Sequence, residues 1–515
     1  MNALNGFVRS ICIDRPSLNN NTADAQRLEA GLQKELGTDR IRVPLDVLKT
    51  LPSNIRAWDY TAKAIVFKDC HSWFLLDLLN PADQTRIYGV AIDIGTTRIV
   101  LALVDLETGQ ILGEKGFDNP QASIGPDVLA RIHHSNKPGG LKQLNTLVID
   151  SVNQNIACLC KAHDIDSKDV YLICAAGNTA MTHLFAGIEA YQMIKEPYIP
   201  CVNILDTLTA QSLGLDIHDK GMVFLFPNIG SYFGGDLIAG ILYSDLDTKN
   251  DPCILVDVGT NAEIIVGCRE WLIACAGAAG PALEGGMSKM GMTAKPGVID
   301  RVWINLDTNL LDVHTIDQTP PIGICGSGMI DLAASLFLSK RIDIRGKFSK
   351  EVCGKELFEQ DGIMHFILVD KKKSGTGQPI CLSQVDLNSL TSSKAAMYTI
   401  LEVIVKNTAG LDFDDLNTFY VAGTFGSFID PVSAISIGML PDIPVDTFKV
   451  LGNSSLGGAI LLLKDPLAFE RILNIRKSIT YIELNVNQEF MNMFSGAKFY
   501  PHTDRSRFPS LAQKI

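Results

Sequence analysis

Two segments of the chain repeat one order of residue types that could bind an anion together with a metal ion. Each has an apolar run that ends near an aspartate, a glycine two positions later, and then two hydroxyl or amide side chains. The first set is Asp93, Gly95, Thr96 and Thr97, and the second set is Asp257, Gly259, Thr260 and Asn261. The aspartates are 164 positions apart (257 − 93), about the length of one domain, so two similar domains would each carry one copy.

The residue types in these two turns suit a phosphate group and its magnesium ion. Glycine permits a tight turn that exposes backbone N–H groups to an anion, and the threonine and asparagine side chains add donors. Asp93 and Asp257 would repel a phosphate directly, but each can hold Mg²⁺ through water, and the metal then bridges to phosphate oxygens. Either turn alone is equally well explained as an ordinary hairpin turn. As a pair, they predict a nucleoside triphosphate that is clamped from two sides.

Two glycine-rich turns in the second half of the chain are candidates for the rest of a nucleotide site. The first precedes an apolar helix, whose N-terminus can receive a phosphate or a ribose. The second follows a strand, where an adenine could lie flat against the backbone. Their residues are Gly326, Ser327 and Gly328 in the first turn, and Gly423, Thr424 and Gly426 in the second. A tight strand-to-helix turn explains each of them equally well.

Four carboxylates are candidates for roles in catalysis. Asp93 and Asp257 would act through the metal ion, whereas Glu284, in GPALEGG, could take a proton from the attacking water. Glu284 could equally cap a helix. Glu263 lies on an arm of the second hairpin and would face the same cleft. We therefore predict Asp93, Asp257 and Glu284 as the catalytic set.

The elements that must position these residues are strands that alternate with helices. The runs YGVAIDI, IVLALVDL, VYLICAAG, CILVDVGT, AEIIVGC and TFYVAGTFG predict strands, and residues 393–411, SKAAMYTILEVIVKNTAGL, predict a helix. This mixture indicates an α/β architecture. A βαβ nucleotide fold would have a helix after the glycine, but here a second strand follows, so each repeated motif is a β-hairpin.

Residues 1–85 form a smaller predicted unit of mixed α and β structure without a chemical motif. The segment NTADAQRLEAGLQKELG has leucines four positions apart on one helical face. Asn21 or Thr22 is its predicted cap, and Gly37 its predicted end. PLDVLKTLP predicts a second short helix and AKAIVFKDC a strand. We expect this unit to serve as a docking or spacer domain.

Composition and charge exclude several classes of protein. The 515 residues are 46% hydrophobic and 20% charged, which is typical of a globular chain of about two to four domains. The net charge of −12, without a cluster of Lys and Arg, argues against nucleic acid and anionic membranes as partners. The stretch MNALNGFVRSICIDRP does not have the apolar core of a signal peptide, and no stretch is apolar enough to span a bilayer, so we expect a cytoplasmic protein without a membrane partner.

The twelve cysteines are scattered through apolar runs, and we expect residues such as Cys174, Cys253 and Cys275 to be small core residues in a reducing cytoplasm. The closest pair, Cys158 and Cys160, has one residue between its members. Neither a C-x-x-C motif nor the cysteine spacing of a plant-type ferredoxin occurs. We therefore expect no iron–sulfur cluster in this chain.

The order of these motifs resembles the ASKHA superfamily, which comprises acetate and sugar kinases, heat-shock cognate chaperones and actin. DIGTT matches its first phosphate loop, DVGTN its second, and VAGTFG its adenosine motif.

Segments such as DNPQASIGPDVLARI, AAGNTAMTHLFAGI, AGAAGPALEG and LGNSSLGGA resemble the reductive activators of corrinoid-dependent enzymes, the RamA-like group, over about residues 86–500. The resemblance implies two ribonuclease-H-like domains around a nucleotide cleft, residues 86–250 and 251–515, preceded by a small α+β domain, residues 1–85.

The resemblance also implies a repair function. The corrinoid (cobalamin-type) cofactor of a methyltransferase works as cobalt(I), and proteins of this group use Mg²⁺–ATP to drive the uphill reduction of the inactive cobalt(II) form in the corrinoid protein. They carry an iron–sulfur domain, often N-terminal and of ferredoxin type, that delivers the electron, and this sequence begins where such a domain would end. We expect a truncated chain, a separate ferredoxin as donor, or an activator that only binds its corrinoid protein.

Two other functions stay open. A small-molecule kinase of the acetate or sugar kinase type would use a catalytic aspartate in its first half, and Asp236 in GGDLIAG is the candidate. An ATP-gated scaffold would close on nucleotide and expose a docking face for the corrinoid protein. A homodimer is compatible with each of these functions.

Overall fold

The computed structural model describes residues 6–69, 72–259, 262–277, 290–305, 308–423, 426–483 and 488–512. The chain divides into two compact units. The first unit consists of Met1–Asp245 and Ser454–Ser478, and the second of Leu246–Asn453 and Ile479–Ile515. Each unit contains a six-stranded sheet that packs on its own hydrophobic core.

The first unit begins with a small sheet and two helices. Their bounds are β1 (Val8–Cys12), α1 (Asp24–Leu36), β2 (Ile41–Arg42), α2 (Leu45–Ala57), β3 (Thr61–Lys68) and β4 (Trp73–Leu79). Helix α1 ends at Gly37, whose φ of 61° is left-handed, as predicted. Its N-cap residue is Ala23, so the prediction of Asn21 or Thr22 is wrong. Thr22 instead donates to the Asn20 side chain in the preceding turn.

Helix α2 is longer than predicted because its apolar spacing continues past Pro52. The predicted helix, PLDVLKTLP, ends at Pro52, and proline lacks the N–H group that an interior helix position donates. Val47, Leu51 and Ile55 are spaced one turn apart and are all buried. Packing of this face maintains the helix to Ala57.

The larger sheet of the first unit starts at Tyr88. Its elements are β5 (Tyr88–Ile94), β6 (Arg98–Asp105), β7 (Ile111–Asp118), α3 (Val128–Ser135), α4 (Gly140–Ala162), β8 (Val170–Gly177), α5 (Thr179–Ala186), β9 (Leu208–Thr209), β10 (Met222–Leu225) and α6 (Gly235–Ser244). The strand order is β7-β6-β5-β8-β10-β9. Strands β5, β6 and β7 form an antiparallel meander, and β8 and β10 extend the sheet parallel to β5.

The second unit repeats this arrangement. Its elements up to residue 452 are β11 (Cys253–Val258), β12 (Ala262–Cys268), β13 (Trp271–Gly277), β14 (Val298–Asn305), β15 (Leu310–Thr315), β16 (Gly323–Ile324), α7 (Gly326–Leu338), α8 (Lys350–Cys353), β17 (Leu357–Gln360), β18 (Ile363–Val369), β19 (Ile380–Ser383), α9 (Gln384–Glu402), β20 (Thr418–Ala422), α10 (Pro431–Ser436) and β21 (Phe448–Gly452). Strands β11, β12 and β13 form an antiparallel meander, and β20 and β21 extend the sheet parallel to β11. The predicted α/β class is confirmed, with the two acidic hairpins at equivalent places in the two sheets.

Four further elements follow: α11 (Ser454–Lys464), α12 (Ala468–Ser478), β22 (Ile479–Glu483) and α13 (Gln488–Ala497). Strand β22 joins the second sheet beside β13, whereas α11 and α12 belong to the first unit, where both pack against α6. A Cβ atom on Gly458 would lie 2.2 Å from the Ala239 carbonyl oxygen, so glycine permits the close approach of α11 to α6. The second unit therefore differs from the predicted domain 251–515, which included both helices.

Helix α9 starts earlier than the sequence predicts and changes geometry near its end. Ser383 and Asp386 form a capping box, in which each side chain accepts from the backbone N–H of the other residue. The helix therefore begins at Gln384 rather than at residue 393. The chain is π-helical over Val403–Thr408, so the single predicted helix has an α-helical and a π-helical part.

No helix within the described part of the chain is long and apolar enough to cross a membrane. Residues 171–188, which lack a formal charge, form most of β8 and all of α5. Their apolar side chains face the core of the first unit. The segment is thus a buried strand followed by a buried helix.

Candidate functional site

The first predicted turn joins β5 to β6 and is held in place by Asn119. The side-chain amide of Asn119 donates to the Gly95 carbonyl oxygen at 2.9 Å, and its backbone N–H donates to the Thr97 carbonyl oxygen at 2.8 Å. These bonds occupy two carbonyl oxygens that would otherwise repel an anion. Thr97 is exposed, so its side chain is accessible to a ligand.

Gly95 is required by the geometry of this turn. A Cβ atom at this position would lie 2.2 Å from the carbonyl oxygen of Arg98, which is backbone and cannot rotate away. The last paired residues of the two strands are Ile94 and Ile99. The intervening residues 95–98 therefore form a tight connection that only a glycine at its first position allows.

Thr96 is tied to the N-terminus of α5 through Asn178. The Nδ2 group of Asn178 donates to Thr96 Oγ1 at 3.0 Å, and its Oδ1 atom accepts from the backbone N–H of Met181 at 2.9 Å. Asn178 is therefore both the N-cap of α5 and a fixed partner of the turn. The bond from the Met181 N–H assigns the orientation of the amide, because only the amide oxygen can accept it.

Asp93 is half-buried at the end of β5 and contacts the first turn of α11. Ser455 Oγ donates to Asp93 Oδ1 at 2.9 Å. This hydrogen bond orients the carboxylate, and a helix N-terminus favours a nearby negative charge. The arrangement suits an aspartate that holds a metal ion.

Asp236 lies in the first turn of α6, close to Asn178. A Cβ atom on Gly234 would lie 2.4 Å from Asn178 Cα and 2.6 Å from Asp236 Oδ1, so both residues border the same glycine. Asp236 Oδ1 also accepts from the Leu237 N–H at 2.9 Å. The aspartate named for the kinase alternative thus lies beside the residue that supports the first turn.

The second hairpin has a carboxylate pair that the first hairpin lacks. Asp257 pairs directly with Glu263 across β11 and β12, whereas the residue opposite Asp93 is Val100. Side chains directly opposite each other in an antiparallel ladder lie on the same face of the sheet, so the two carboxylates are neighbours. A cation is the counter-charge that such a pair favours, in keeping with the predicted magnesium site.

The glycine after β20 packs against the Asp257 carboxylate. Gly423 has a φ of 85°, which side-chain-bearing residues rarely adopt, and a Cβ atom there would lie 2.5 Å from Asp257 Oδ1. The structure thus places Gly423, of the predicted adenine turn, beside Asp257 of the second hairpin. Gly426 is buried, and a Cβ atom there would lie 2.7 Å from the side chain of Val421.

The glycine turn before α7 is buried and packs on β14. Gly326, Ser327 and Gly328 are the first three residues of the helix. Ser327 Oγ donates to the Asp300 carbonyl oxygen at 3.1 Å, and a Cβ atom on Gly328 would lie 2.7 Å from the Ile299 carbonyl oxygen. These contacts explain the glycine spacing as a tight strand-to-helix turn. A contact with phosphate or ribose stays a prediction.

Four predicted site residues lie outside the described residues, namely Thr260, Asn261, Thr424 and Glu284. Gly259, which directly precedes two of them, is described and exposed. The roles predicted for these four residues stay predictions. This includes the choice of Glu284 between orienting water and capping a helix.

Three supporting residues were not predicted as site residues: Asn119, Asn178 and Ser455. Asn178 directly precedes the helix TAMTHLFA, and asparagine is a preferred N-cap. Asn119 precedes Pro120, and this pair favours the start of a turn. Ser455 has no local signal for its contact with Asp93, because 362 positions separate the two residues.

The cysteines and histidines of the described ranges do not form a metal site. No group of three or more His, Cys, Asp or Glu side chains there is arranged to hold a metal ion. Cys174 and Cys275 are fully buried in the two sheets, and burial raises the pKa of both thiols. Such thiols stay protonated and pack as small apolar groups, as the sequence predicts.

The residues at the two hairpins fit a nucleotide with its magnesium ion. In the first unit, the Asp93 carboxylate adjoins a glycine turn that carries two threonine hydroxyls. In the second unit, Asp257, Glu263 and Gly423 are neighbours. Carboxylate oxygens are ligands that Mg²⁺ prefers, and hydroxyl and backbone N–H groups suit phosphate oxygens.

Comparison with known families matches nearly the whole chain. The RACo linker region matches residues 8–85, the RACo middle region matches 88–249, and the C-terminal domain of RACo, the ASKHA domain, matches 251–512. The predicted ASKHA fold class is thereby confirmed for this chain.

Individual relatives agree with the family match. The corrinoid activation enzyme RamQ of Eubacterium limosum is 30% identical over 483 residues, which cover 89% of this chain and 80% of RamQ. The [Co(II) methylated amine-specific corrinoid protein] reductase of Methanosarcina barkeri is 25% identical over 442 residues, 79% of this chain and 76% of that protein. A solved reductive activator for a corrinoid, iron–sulfur protein superposes with a TM-score of 0.85 at 35% identity, covering 98% of this chain and 81% of its own. The chain therefore belongs to the RACo family, whose C-terminal domain is an ASKHA domain.

Proposed function

We propose that this chain is an ATP-dependent activator that binds a corrinoid protein of a methyltransferase system and supports the reduction of its cobalt(II) to cobalt(I). The observation that carries the proposal is the first turn, where Ser455 orients Asp93 and Asn178 fixes Thr96, in a chain of the RACo family. The relatives favour this substrate, because their names describe activation or reduction of corrinoid proteins.

The nucleotide part of the proposal assigns a task to each turn. Asp93 and Asp257 would hold Mg²⁺ through water, and Glu263 would add negative charge beside Asp257. Glu284 would accept a proton from the attacking water. Bound Mg²⁺ supplies neutralisation of the phosphate charge. The residues that would contact phosphates or adenosine are Gly95, Thr96, Thr97, Gly259, Thr260, Asn261, Gly326, Ser327, Gly328, Gly423, Thr424 and Gly426.

The reduction itself requires one electron for each cobalt(II) that becomes cobalt(I). We assign this electron to a ferredoxin-type donor. The contribution of this chain is then a difference in binding, because ATP can favour reduction only if the nucleotide-bound and nucleotide-free forms bind the corrinoid protein differently. About 1.4 kcal/mol of differential binding shifts the equilibrium about tenfold.

The proposal is tested by following the absorbance of a cobalt(II) corrinoid protein under anaerobic conditions. The mixture contains the chain, Mg²⁺–ATP and a low-potential electron donor. We expect cobalt(I) to form with ATP but not with a non-hydrolysable analogue, and ATP turnover to rise when the corrinoid protein is added. Asp257→Asn should lose both activities and remain folded, whereas Asp251→Asn, at an exposed aspartate of the same unit, should keep both.

Two results would replace this proposal. Phosphorylation of a small acid or sugar, with no response to the corrinoid protein, would favour the small-molecule kinase, with Asp236 as its base. Nucleotide-dependent binding of the corrinoid protein without turnover or reduction would favour the ATP-gated scaffold.

A further inference from the structure

The first unit exposes a group of large apolar side chains on two loops. The exposed fractions of these residues are 61% for Ile199, 43% for Tyr232, 40% for Tyr198 and 39% for Ile204. The rings of Tyr198 and Tyr232 contact each other, with centroids 6.0 Å apart. We refer to these four residues as the Tyr198 face. Grouped exposed apolar side chains of this kind mark interaction sites.

Hydrogen bonds join the two loops into one surface. Ser231 Oγ donates to the Tyr198 carbonyl oxygen at 2.5 Å. The Asn203 carbonyl oxygen accepts from the Asn228 N–H at 2.7 Å, and its side-chain oxygen accepts from the Gly230 N–H at 3.0 Å. The face is therefore organised before a partner binds, which lowers the entropic cost of association.

The composition of the two loops is typical of the core of a protein interface. Residues 197–205, PYIPCVNIL, and residues 227–235, PNIGSYFGG, contain no Asp, Glu, Lys or Arg. Interface cores are depleted of charge and enriched in tyrosine, and tyrosines often contribute much of the binding energy. The surface therefore fits a protein partner rather than a nucleic acid or an anionic membrane.

The backbone of Tyr198 is in an unfavourable conformation. Its φ is 61°, and the left-handed region is rarely adopted by a bulky residue. Two hydrogen bonds to nearby residues hold it in this conformation. The Tyr198 N–H donates to the Lys195 carbonyl oxygen at 2.5 Å, and the Tyr198 carbonyl oxygen accepts from the Ser231 hydroxyl. Strained residues of this kind cluster at functional sites, and here the strain presents an aromatic ring to solvent.

The loops that carry the face are linked to the first nucleotide turn. Asn178 donates to Thr96 Oγ1 at 3.0 Å, and the hydroxyl of the next residue, Thr179, donates to the Gly230 carbonyl oxygen at 2.9 Å. Gly230 directly precedes the serine that holds Tyr198. Hydrogen bonds and adjacent peptide units thus connect the turn with the face.

His183 makes a second link from α5 to the same loops. Its Nδ1–H donates to the Thr179 carbonyl oxygen at 2.7 Å, and its Nε2 atom accepts from the Val202 N–H at 3.4 Å. These partners assign the neutral tautomer with the proton on Nδ1. The buried histidine therefore supports the loop that carries Tyr198 and Ile204.

We propose that the Tyr198 face is the surface on which the corrinoid protein docks, and that nucleotide at the Thr96 turn changes its affinity through Asn178 and Thr179. The inference rests on the proposed function, since it names the docking surface that this function requires. The hydrogen-bonded link from the face to the Thr96 turn distinguishes between two partners, the corrinoid protein and a second copy of the chain. A surface connected to the nucleotide turn fits the protein on which ATP acts better than it fits a second copy of the chain.

The first test compares the binding of a cobalt(II) corrinoid protein by the unaltered chain and by a double variant. The probe is a methylamine-specific corrinoid protein or a corrinoid, iron–sulfur protein, whichever the unaltered chain binds. Tyr198→Asn with Tyr232→Ser removes both rings, and asparagine tolerates the left-handed conformation. We expect affinity for the corrinoid protein to fall about tenfold or more, with unchanged affinity for Mg²⁺–ATP.

A matched control removes an exposed apolar side chain elsewhere in the first unit. Leu45, the first residue of α2, is 66% exposed, and Leu45→Ser should change neither affinity. Unaltered affinity of the double variant for the corrinoid protein would overturn the docking proposal.

An exposed cysteine in the same loop provides a second test that needs no substitution. Cys201 and Cys158 are both exposed residues of the first unit, and only Cys201 lies in the loop of the Tyr198 face. Alkylation by N-ethylmaleimide, read by mass spectrometry, reports the rate at each thiol separately. We expect bound corrinoid protein to slow alkylation of Cys201 and not of Cys158. An unchanged rate at Cys201 in the complex would contradict docking on this face.

The coupling is tested with Thr179→Val, which keeps the shape of the side chain and removes the hydroxyl that donates to Gly230. Nucleotide and corrinoid protein should each still bind alone. The factor by which a non-hydrolysable ATP analogue changes affinity for the corrinoid protein should fall toward one. An unaltered factor in this variant would refute the coupling through Thr179.

These outcomes are distinguishable from failure of the proposed function. If the unaltered chain binds no corrinoid protein, the proposed function fails, and the docking proposal falls with it. If the chain binds the corrinoid protein and the double variant instead converts a dimer to a monomer, with unaltered affinity for the corrinoid protein, the Tyr198 face is a contact between two copies. That result would overturn the docking proposal alone.

Discussion

Ser455 donates a hydrogen bond to Asp93 at 2.9 Å, although 362 positions separate the two residues. Asp93 lies at the end of β5, and Ser455 lies in the first turn of α11, which follows strand β21 of the second sheet in the sequence but belongs to the first unit. A late segment of the chain therefore orients the first predicted metal-holding carboxylate. This relationship makes Ser455 a sensitive test of the predicted nucleotide site.

Ser455→Ala removes the hydroxyl that orients Asp93. We expect affinity for a Mg²⁺-bound, non-hydrolysable ATP analogue to fall about tenfold, the effect of one lost hydrogen bond to a charged group. Titration calorimetry measures this affinity. Ser212→Ala is the control, because the Ser212 hydroxyl donates to the Thr209 carbonyl oxygen in another loop of the same unit. Equal affinities in all three proteins would show that nucleotide binding does not depend on Ser455.

Asn178 has two tasks, and two substitutions separate them. Asn178→Asp keeps an oxygen that can cap α5 but replaces the donor to Thr96 with an acceptor, so the Thr96 hydroxyl would donate to the aspartate and not to a phosphate. Its stability should therefore stay close to that of the unaltered chain, while nucleotide affinity falls about tenfold or more because the new carboxylate also repels phosphate. Asn178→Ala loses the cap as well, so the free energy of unfolding should fall by about 1 kcal/mol.

Urea denaturation and calorimetry together distinguish these effects of Asn178. An aspartate variant that binds nucleotide as tightly as the unaltered chain would contradict the role of the hydrogen bond to Thr96. Equal stability of the alanine and aspartate variants would contradict the capping role.

Gly423 and Gly452 form a matched pair of glycines in the second unit. Both have a positive φ, 85° and 69°, so the left-handed conformation alone costs an alanine at either position about 1 kcal/mol of stability. A new Cβ atom on Gly452 meets no atom within 4 Å, whereas one on Gly423 would lie 2.5 Å from Asp257 Oδ1. We expect Gly423→Ala, and not Gly452→Ala, to lower Mg²⁺-dependent nucleotide affinity. Equal nucleotide affinities of the two variants would show that Gly423 does not contribute to the metal site.

His502 should make the second unit less stable in acid. Burial, followed by the nearby charges of Arg507 and Lys394, lowers the pKa of His502 to about 4, and Asp504 opposes this only in part. The unfolded chain titrates this residue near 6.5 and so binds more protons between the two values. The contribution of the neutral His502 to the free energy of unfolding is therefore fully present above pH 6.5. It is lost as the pH falls toward 4, by about 3 kcal/mol in all.

His502→Asn isolates this contribution from that of other titrating groups. The Nδ1 atom of His502 accepts from the Asp504 N–H at 2.9 Å, and an asparagine oxygen can take its place without titrating in this range. Unfolding by urea at pH 7 and at pH 4.5 should show a smaller loss of stability in the variant. Equal losses in both proteins would contradict the lowered pKa of His502.

Local sequence signals predicted the strands of the two hairpins correctly but gave wrong boundaries for several helices. The hairpins after Asp93 and Asp257 follow from two adjacent apolar runs separated by a glycine turn, and the structure has strands at both places. The end of α2 differs from the prediction because packing of its apolar face outweighed Pro52, and the start of α9 differs because the local capping box of Ser383 and Asp386 was missed. Helix boundaries depend on small local preferences that tertiary contacts override.

The sequence by itself determined which residue types stand at each hairpin, and hence the class of ligand, because a glycine turn beside an aspartate is a local pattern. Only the tertiary structure decided which groups support them. It placed Ser455 on Asp93, set Glu263 opposite Asp257, and left Val100 at the equivalent position of the first hairpin. Such contacts depend on strand register and on the path of the chain over hundreds of residues, which no local spacing of residue types specifies.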